Sequence, residues 1–462
     1  MGIYGAINSA VSGLAAQATA LENISGNVAN SQTTGYKRLD TTFSDLVSGG
    51  GSVQADQVSG TTYSTSRATN TVQGDISAND VDTYMAINGE GYFVVTSAGD
   101  VVDGQTTFAD TNYYTRAGDF EIDEDGYMVN SSGYYLMGYE LDPDTGNAVG
   151  DATGVIQIDD QPIAAEATSE IEYQANLPTV PQTEDYDGSD PTTALLNTAT
   201  VGTDDVADAN DQAFLDSSIS GGSVTIYNDN GTALNVEVRW GKTANAPPAA
   251  NNTWSMFLSS GGNDPAWLEV GNVNFDTAGD MGTLTAGDGS LTSVPNGTSD
   301  GFEITGGLTI GDVTIDSVNI SFSNGSLTQY SDPNGVATSV TLDQDGYAAG
   351  EIVGVSIDES GRIVASYSNS QTRSLYEIPL ATFDAEQALE RVNGAAFAAT
   401  PTSGEPDLTR GGSIISNALE LSNADIASEF SKLIVTQQAY SANSKIVTSA
   451  DEMLDSALNM VR

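Results

Sequence analysis

The chain has 462 residues, 63 acidic side chains against 13 basic ones, a formal charge of −50, and neither cysteine nor histidine. Phosphate backbones and anionic lipid both need a basic face, so the charge excludes nucleic acid and membrane surfaces as partners. Without Cys or His there is no disulfide, thiol nucleophile, thiolate zinc site or imidazole base. The 39% hydrophobic content, with 19 Tyr, 12 Phe and 3 Trp, also excludes a disordered chain and leaves enough core for roughly two to four domains.

The chain opens on an uncharged stretch: Glu22 is the one charged residue in 1–31. Ile7, Leu14, Leu21 and Val28 recur every seven residues, with Val11 and Ala18 in the second row, and the spacing predicts a helix over 3–30. "NVANSQTTGYKR" (27–38) ends it. Asn30, Thr33, Thr34 and Gly35 suit a helix stop, with Gly35 the residue for φ > 0. Lys37 and Arg38 follow that helix end, and the reading expects them to meet carboxylates of neighbouring copies. Short Tyr/Val/Ile runs from 81 to 177 read as strands, with "DEDGY" (123–127) and "SSGYY" (131–135) as hairpin turns. Arg116, rare as a base, is expected to pair with a neighbouring acid. Residues 223–240 read as a hairpin around "NDNG", and "TWSMFLSS" adds a strand. All three Trp fall in 240–267, so the middle segment is expected to have its own core. A second strand-rich block covers 341–400.

The chain closes on a longer heptad pattern: Ile426, Leu433, Tyr440, Val447, Leu454 and Val461, with Phe430 and Leu458 among a weak second row. Ser422 or Asn423 is the expected N-cap. Such repeats want helical partners, and the small residues Ala10, Gly13, Ala15 and Ala16 allow close packing with further copies. Residues 1–31 and 413–462 together carry −4, the remainder −46, so ends and body have different jobs. The fold class that results is α+β, mainly β, discontinuous and multi-domain. Residues 1–31 with 413–462 form a terminal helical coiled-coil domain. Residues 32–72 connect it to a β-rich core domain of 73–177 with 328–412, and 178–327 form an inserted outer β domain.

Chemistry-bearing motifs are few. "DPDTGNAVGD" (142–151), "DEDG" (123–126) and "DQDG" (343–346) offer oxygen ligands but lack EF-hand spacing, and Asx-rich β-turns account for them better. "NGEG" (88–91) lacks a phosphate-loop lysine. The pair Asp123 and Asp125 has nothing that favours glycosidase work over any other acid pair. No catalytic, cofactor or metal site is expected. The first base is Lys37 and no apolar run approaches about 18 residues, so the reading is a cytosolic protein or one exported without a cleaved signal.

The ends are similar to those of the bacterial flagellar axial proteins, the rod and hook family. "SGLAAQATALENISGNVANSQTTGYK" (12–37) resembles its N-terminal signature, and "SNADIASEFSKLIVTQQAYSANSKIVTSADEML" (422–454) its C-terminal one. "YMAINGEGYFVV" and "YTRAGDFEIDEDGYMVNSSGYYLMGY" resemble its first β block. The insertion, "LTQYSDPNG" (327–335) and "DGYAAGEIVGVSIDESGRIVASYSNSQTRSLYEIPLATF" (345–383) look like the hook branch; the shorter distal rod subunits are the nearest rival, an acidic surface adhesin a distant one.

The resemblance implies a homopolymer, an extracellular curved tube that transmits motor torque from rod to filament. It implies Ile7, Val11, Leu14, Leu21, Val28, Ile426, Phe430, Leu433, Tyr440, Val447, Leu454, Leu458 and Val461 as helical assembly residues. Asn30, Gly35, Tyr36, Lys37 and Arg38 would belong to the connecting segment. The implied partners are further copies, the distal rod protein, the hook cap protein, the hook-filament junction protein and the flagellar type III export apparatus, with no cofactor and no membrane insertion. Bending would come from weak, slidable contacts between polar β surfaces around a firm helical core.

Overall fold

The computed structural model describes residues 3–46, 61–102, 105–143, 145–244, 252–296, 300–323, 325–409 and 411–460. The chain forms two compact units. The first gathers Met1–Asp160, Ile352–Ser366 and Thr372–Arg462; the second gathers Gln161–Glu351 and Tyr367–Gln371.

Helices sit at both ends of the first unit, Ile3–Ala29 and Ile426–Met460. Asn30 closes the first, its backbone N–H and its Nδ2 both donating to the Gly26 carbonyl oxygen. The second starts at Asp425, not at Ser422 or Asn423: the Asp425 carboxylate accepts from the Ser428 N–H at 2.7 Å. Asn423 is occupied otherwise, accepting from the Arg38 N–H and donating to Thr69. Two strands after the first helix, Leu39–Leu46 and Thr61–Ala68, form an antiparallel ribbon held against that helix by Asn23, which donates to Thr41 and Ser66.

The β body of this unit mixes early and late chain. Thr372–Glu377, Tyr134–Glu140, Tyr92–Val102, Gln105–Thr115 and Ala396–Ala398 run side by side. "YFVV" (92–95) is apolar without alternation because both faces are covered: Phe93 and Val95 enter a core with Phe120, Leu136 and Ile363, while Tyr92 and Val94 face Phe383 and Phe397. The two expected turns are present, Gly126 and Gly133 each at positive φ. Two short pairings draw the ends together: Met85–Asn88 with Ser413–Ser416, and Ile76–Ala78 with Ala418–Glu420.

The second unit contains a five-stranded antiparallel meander of Ile219–Tyr227, Ala233–Ala244, Asn252–Ser259, Trp267–Phe275 and Met281–Ala286. Trp240, Trp254 and Phe275 of the meander are fully buried together with Phe302 and Phe322 from outside it, each Phe contributing about 1.5–3 kcal/mol on burial. Its limits are wider than 178–327. Glu170–Leu177 pairs with Val318–Ser321, Leu327–Gln329 and Thr338–Gln344, so the residues flanking the expected insertion fold with it.

The Asp-rich turns are local structures. Asp123 accepts from the N–H groups of Asp125 and Tyr127, and Asp142 from that of Thr145. Among the described residues no helix is long and apolar enough to cross a membrane.

Candidate assembly site at the chain ends

The helix pair is antiparallel. Asn27 donates to the Glu429 carboxylate at 3.1 Å, while Gly13 lies against Asn443; the same 14-residue spacing separates the contacts on both helices. A Cβ at Gly13 would come within 2.8 Å of Asn443 Nδ2, so glycine sets the approach there. The cross-helix contacts are small and polar, Gly13 against Asn443 and Asn27 against Glu429, and the second helix also buries Thr436 and Ala450 at the same seven-residue spacing.

The heptad rows flank this seam. Ile7, Leu14, Leu21, Val28, Leu433, Val447 and Leu454 are half-buried, whereas Val11, Ile426, Phe430 and Tyr440 are exposed. Leu458 lies on the second helix, with its side chain not described, and Val461 lies outside the described residues. The apolar period thus locates surfaces that the chain does not cover by itself.

The connecting segment meets the seam in a buried charge network. Lys37 is 1% exposed and donates from Nζ to Glu420 Oε1 at 2.5 Å and to the Val72 carbonyl oxygen at 2.8 Å. Glu420 is fully buried; its Oε2 accepts from Arg116 Nη1 at 3.1 Å and its Oε1 also from the Gly74 N–H. Burial lowers the Lys37 pKa below the ordinary lysine value, and the charge and hydrogen bond of Glu420 offset only part of that. Arg116 also donates to the Gly89 carbonyl oxygen and lies 5.2 Å over the Tyr92 ring. Burial pushes the Tyr92 hydroxyl far up, and its hydrogen bond to Glu386 adds to the rise.

Lys37 therefore does not reach a neighbouring copy; its partner is in its own chain. Arg38 is half-buried and pairs with Asp40 at 3.4 Å. Tyr36 stacks under Arg391, 4.7 Å from ring centroid to guanidinium, and Arg391 donates to the Lys37 carbonyl oxygen. Gly35 takes φ +66°, and its N–H donates to the Glu420 carbonyl oxygen. A Cβ there would come within 2.5 Å of Ala117 N. Arg116 pairs with an acid as expected, although 304 residues away.

One turn further, Glu429 is fully buried between Asn27 and Lys432. Burial alone would lower Lys432, but its hydrogen bonds to Glu429 and Asp40 raise its pKa on balance. Glu420, Glu429, Asn423 and Tyr92 escaped sequence reasoning as site residues. One signal marks Glu420: in Ala418–Glu420 the inward register positions are Ala418 and Glu420, so an acid occupies a core position.

Four segments match known families. Residues 7–37 match the family described as Flagella basal body rod protein, and 86–172 match Flagellar hook protein FlgE/F/G D1 domain. Residues 194–347 match Flagellar basal body protein FlaE D2 domain, and 415–460 match Flagellar basal body rod FlgEFG protein C-terminal. The Flagellar hook protein FlgE of Brucella suis is 30% identical over 473 residues, covering all of both chains. That of Escherichia coli is 30% identical over 468 residues, covering 98% of this chain and all of its own. The solved Helicobacter pylori flagellar hook protein FlgE2 is 16% identical, covers 74% of this chain and all of its own, and has a TM-score of 0.49. With full-length relatives at this identity, the chain belongs to the flagellar hook protein family.

Proposed function

We propose that the terminal helices of this hook subunit are its polymerisation surface, and that the buried network around Glu420 fixes the helix pair to the β body that surrounds it in the first unit. One observation carries this reading: beyond the small, polar face that meets the N-terminal helix, the C-terminal helix is apolar in two further directions. Phe430 (51% exposed) and Ile434, four residues apart, line one. Val435 (66% exposed), Ile446 and Met453, spaced 11 and 7, line the other. A lone helix pair leaves both uncovered, and further copies would cover them.

The low charge of the ends supports many-copy packing, and the acidic body keeps free subunits apart. The role is structural, without catalysis. In the same reading the tube lies outside the cell, assembled from subunits passed by the flagellar type III export apparatus. The distal rod protein would meet it below, the hook cap protein during growth and the junction protein above. Bending would use weak contacts between outer β surfaces; cross-links engineered between adjacent outer units should straighten the tube and impair motility, and unchanged curvature would refute that.

The test of the polymerisation surface is the pair Phe430→Gln and Ile434→Gln, glutamine being a good helix former. Electron microscopy should show curved tubes from the parent chain and none from the double variant, with helix content of the free subunit unchanged. Tubes from the variant at the parent's concentration would refute the surface.

A further inference from the structure

The second unit buries a carboxylate with no base beside it. Glu269, in Trp267–Phe275, is 1% exposed. Its Oε1 accepts from Asn272 Nδ2 at 3.1 Å and its Oε2 from the Asp288 N–H at 3.0 Å. Its own N–H donates to Asp205 Oδ1 at 2.9 Å, and Asp205 Oδ2 accepts from the Ser290 N–H at 2.7 Å. The turn "GDGS" (287–290) is thus wrapped over two acids. A Cβ at Gly289 would run into the Asp205 carboxylate.

The charges around Glu269 are nearly all of its own sign. Asp204 and Asp288 act on it through space, and Asp205 is bonded to its backbone. Across the sheet Phe257 stands opposite it, and Arg239 opposite Phe257. That arginine is engaged elsewhere, with Glu237 at 3.2 Å, with Ser218, and over the Trp267 ring at 5.8 Å. Asp211 accepts from the Trp267 ring N–H. Among the described residues no base forms an ion pair with Glu269. Burial pushes its carboxyl up to about 6; the hydrogen bonds from Asp288 and Asn272 hold it back, and the charges of Asp204 and Asp288 add to the rise.

The site is also built for both protonation states. Asn272 Oδ1 accepts from the Ser255 hydroxyl at 2.5 Å, and Ser255 is buried. With Glu269 ionised, the hydrogen bonds run from Ser255 to Asn272 to Glu269. Turning the Asn272 amide over reverses them. Protonated Glu269 then donates to Asn272 Oδ1, and Asn272 Nδ2 donates to Ser255 Oγ, a hydroxyl that accepts as well as donates. The Asp288 N–H keeps its acceptor in both states.

We propose that Glu269, Asn272 and Ser255 form a proton-operated brace, by which the second unit takes up one proton in mild acid and is held more firmly there than at neutral pH. A carboxyl raised by folding contributes stability that is full below its ordinary 4.5 and is lost as pH rises through about 6. The chain has neither histidine nor cysteine, so no imidazole or thiol titrates in that window.

The test is urea unfolding of the full chain, in buffer with a chelator, followed by tryptophan fluorescence. Trp240, Trp254 and Trp267 all lie in this unit. From about pH 7 to about pH 5 the folding constant of the parent should rise about eightfold more than that of Glu269→Gln. Carbon-13 NMR of glutamate-labelled chains reads the same proton directly. One carboxyl of the parent should titrate at about 6 and be missing from the variant. Equal pH dependence of the two chains overturns the proposal. A parent in which no glutamate titrates between about 5 and about 7 overturns it as well, and that result needs no variant to fold.

Discussion

Two regions of the molecule bury a lysine, and they treat it in opposite ways. Lys37, at the chain ends, has Glu420 at 2.5 Å, a backbone carbonyl at 2.8 Å and an arginine on the far side of the same carboxylate. Among the described residues Lys242, in the second unit, has the Thr179 carbonyl oxygen at 2.6 Å and the Trp254 ring at 5.9 Å as its partners and no acid. Its pKa falls to about 8 through burial alone. A buried cation in a network ties distant segments into one geometry, and removing a partner strands charge. A buried cation without an acid is a local burden that an apolar side chain can relieve.

All three tryptophans lie in the second unit, so fluorescence follows that unit, whereas far-UV circular dichroism follows the terminal helices. The largest expected effect is at Glu420→Ala, which leaves two buried cations unpaired. Helix unfolding by denaturant should lose about 3–5 kcal/mol with the fluorescence transition unmoved. Lys37→Met should lose less, about 2–3 kcal/mol, because Arg116 and the Gly74 N–H still hold Glu420. A loss as large as that of Glu420→Ala would make Lys37 the dominant member of the network.

Lys242→Met should go the other way, neutral to ~3 kcal/mol more stable by fluorescence-monitored unfolding. A clear loss would break the contrast. The smallest effect is its pH dependence. Between about 8 and the ordinary 10.5, the unfolded chain holds a proton that folded Lys242 has released, so this residue's contribution to stability rises with pH. The advantage of Lys242→Met should therefore shrink across that window; a constant advantage would mean that the lysine is not desolvated.

The regular parts of the fold were legible. The seven-residue spacing located both helices, Asp and Gly located the hairpin turns, and the tryptophan cluster located a second core. The seam between the helices was not legible. Hydrophobic period points to any covered face, including those left for other copies, whereas the contacts within the chain are made by Asn27, Glu429 and Asn443. The network was hidden for a different reason. Lys37 and Glu420 are 383 residues apart, and long-range contacts bring them together, among them the Gly35 N–H on the Glu420 carbonyl oxygen and the pairing of Ile76–Ala78 with Ala418–Glu420. Gly35, by contrast, was readable from its neighbours, as the glycine in the polar break that follows the helix, and it takes φ +66°.

On the proposed reading, the network at the chain ends, and not the mere presence of two helices, makes the subunit competent to polymerise. Electron microscopy of Glu420→Ala and Lys242→Met chains, at matched concentration and with tryptophan fluorescence recorded on each, tests it most directly. Lys242→Met should form curved tubes and Glu420→Ala none, both with the fluorescence of a folded second unit. Tubes from Glu420→Ala at the parent's concentration would contradict it.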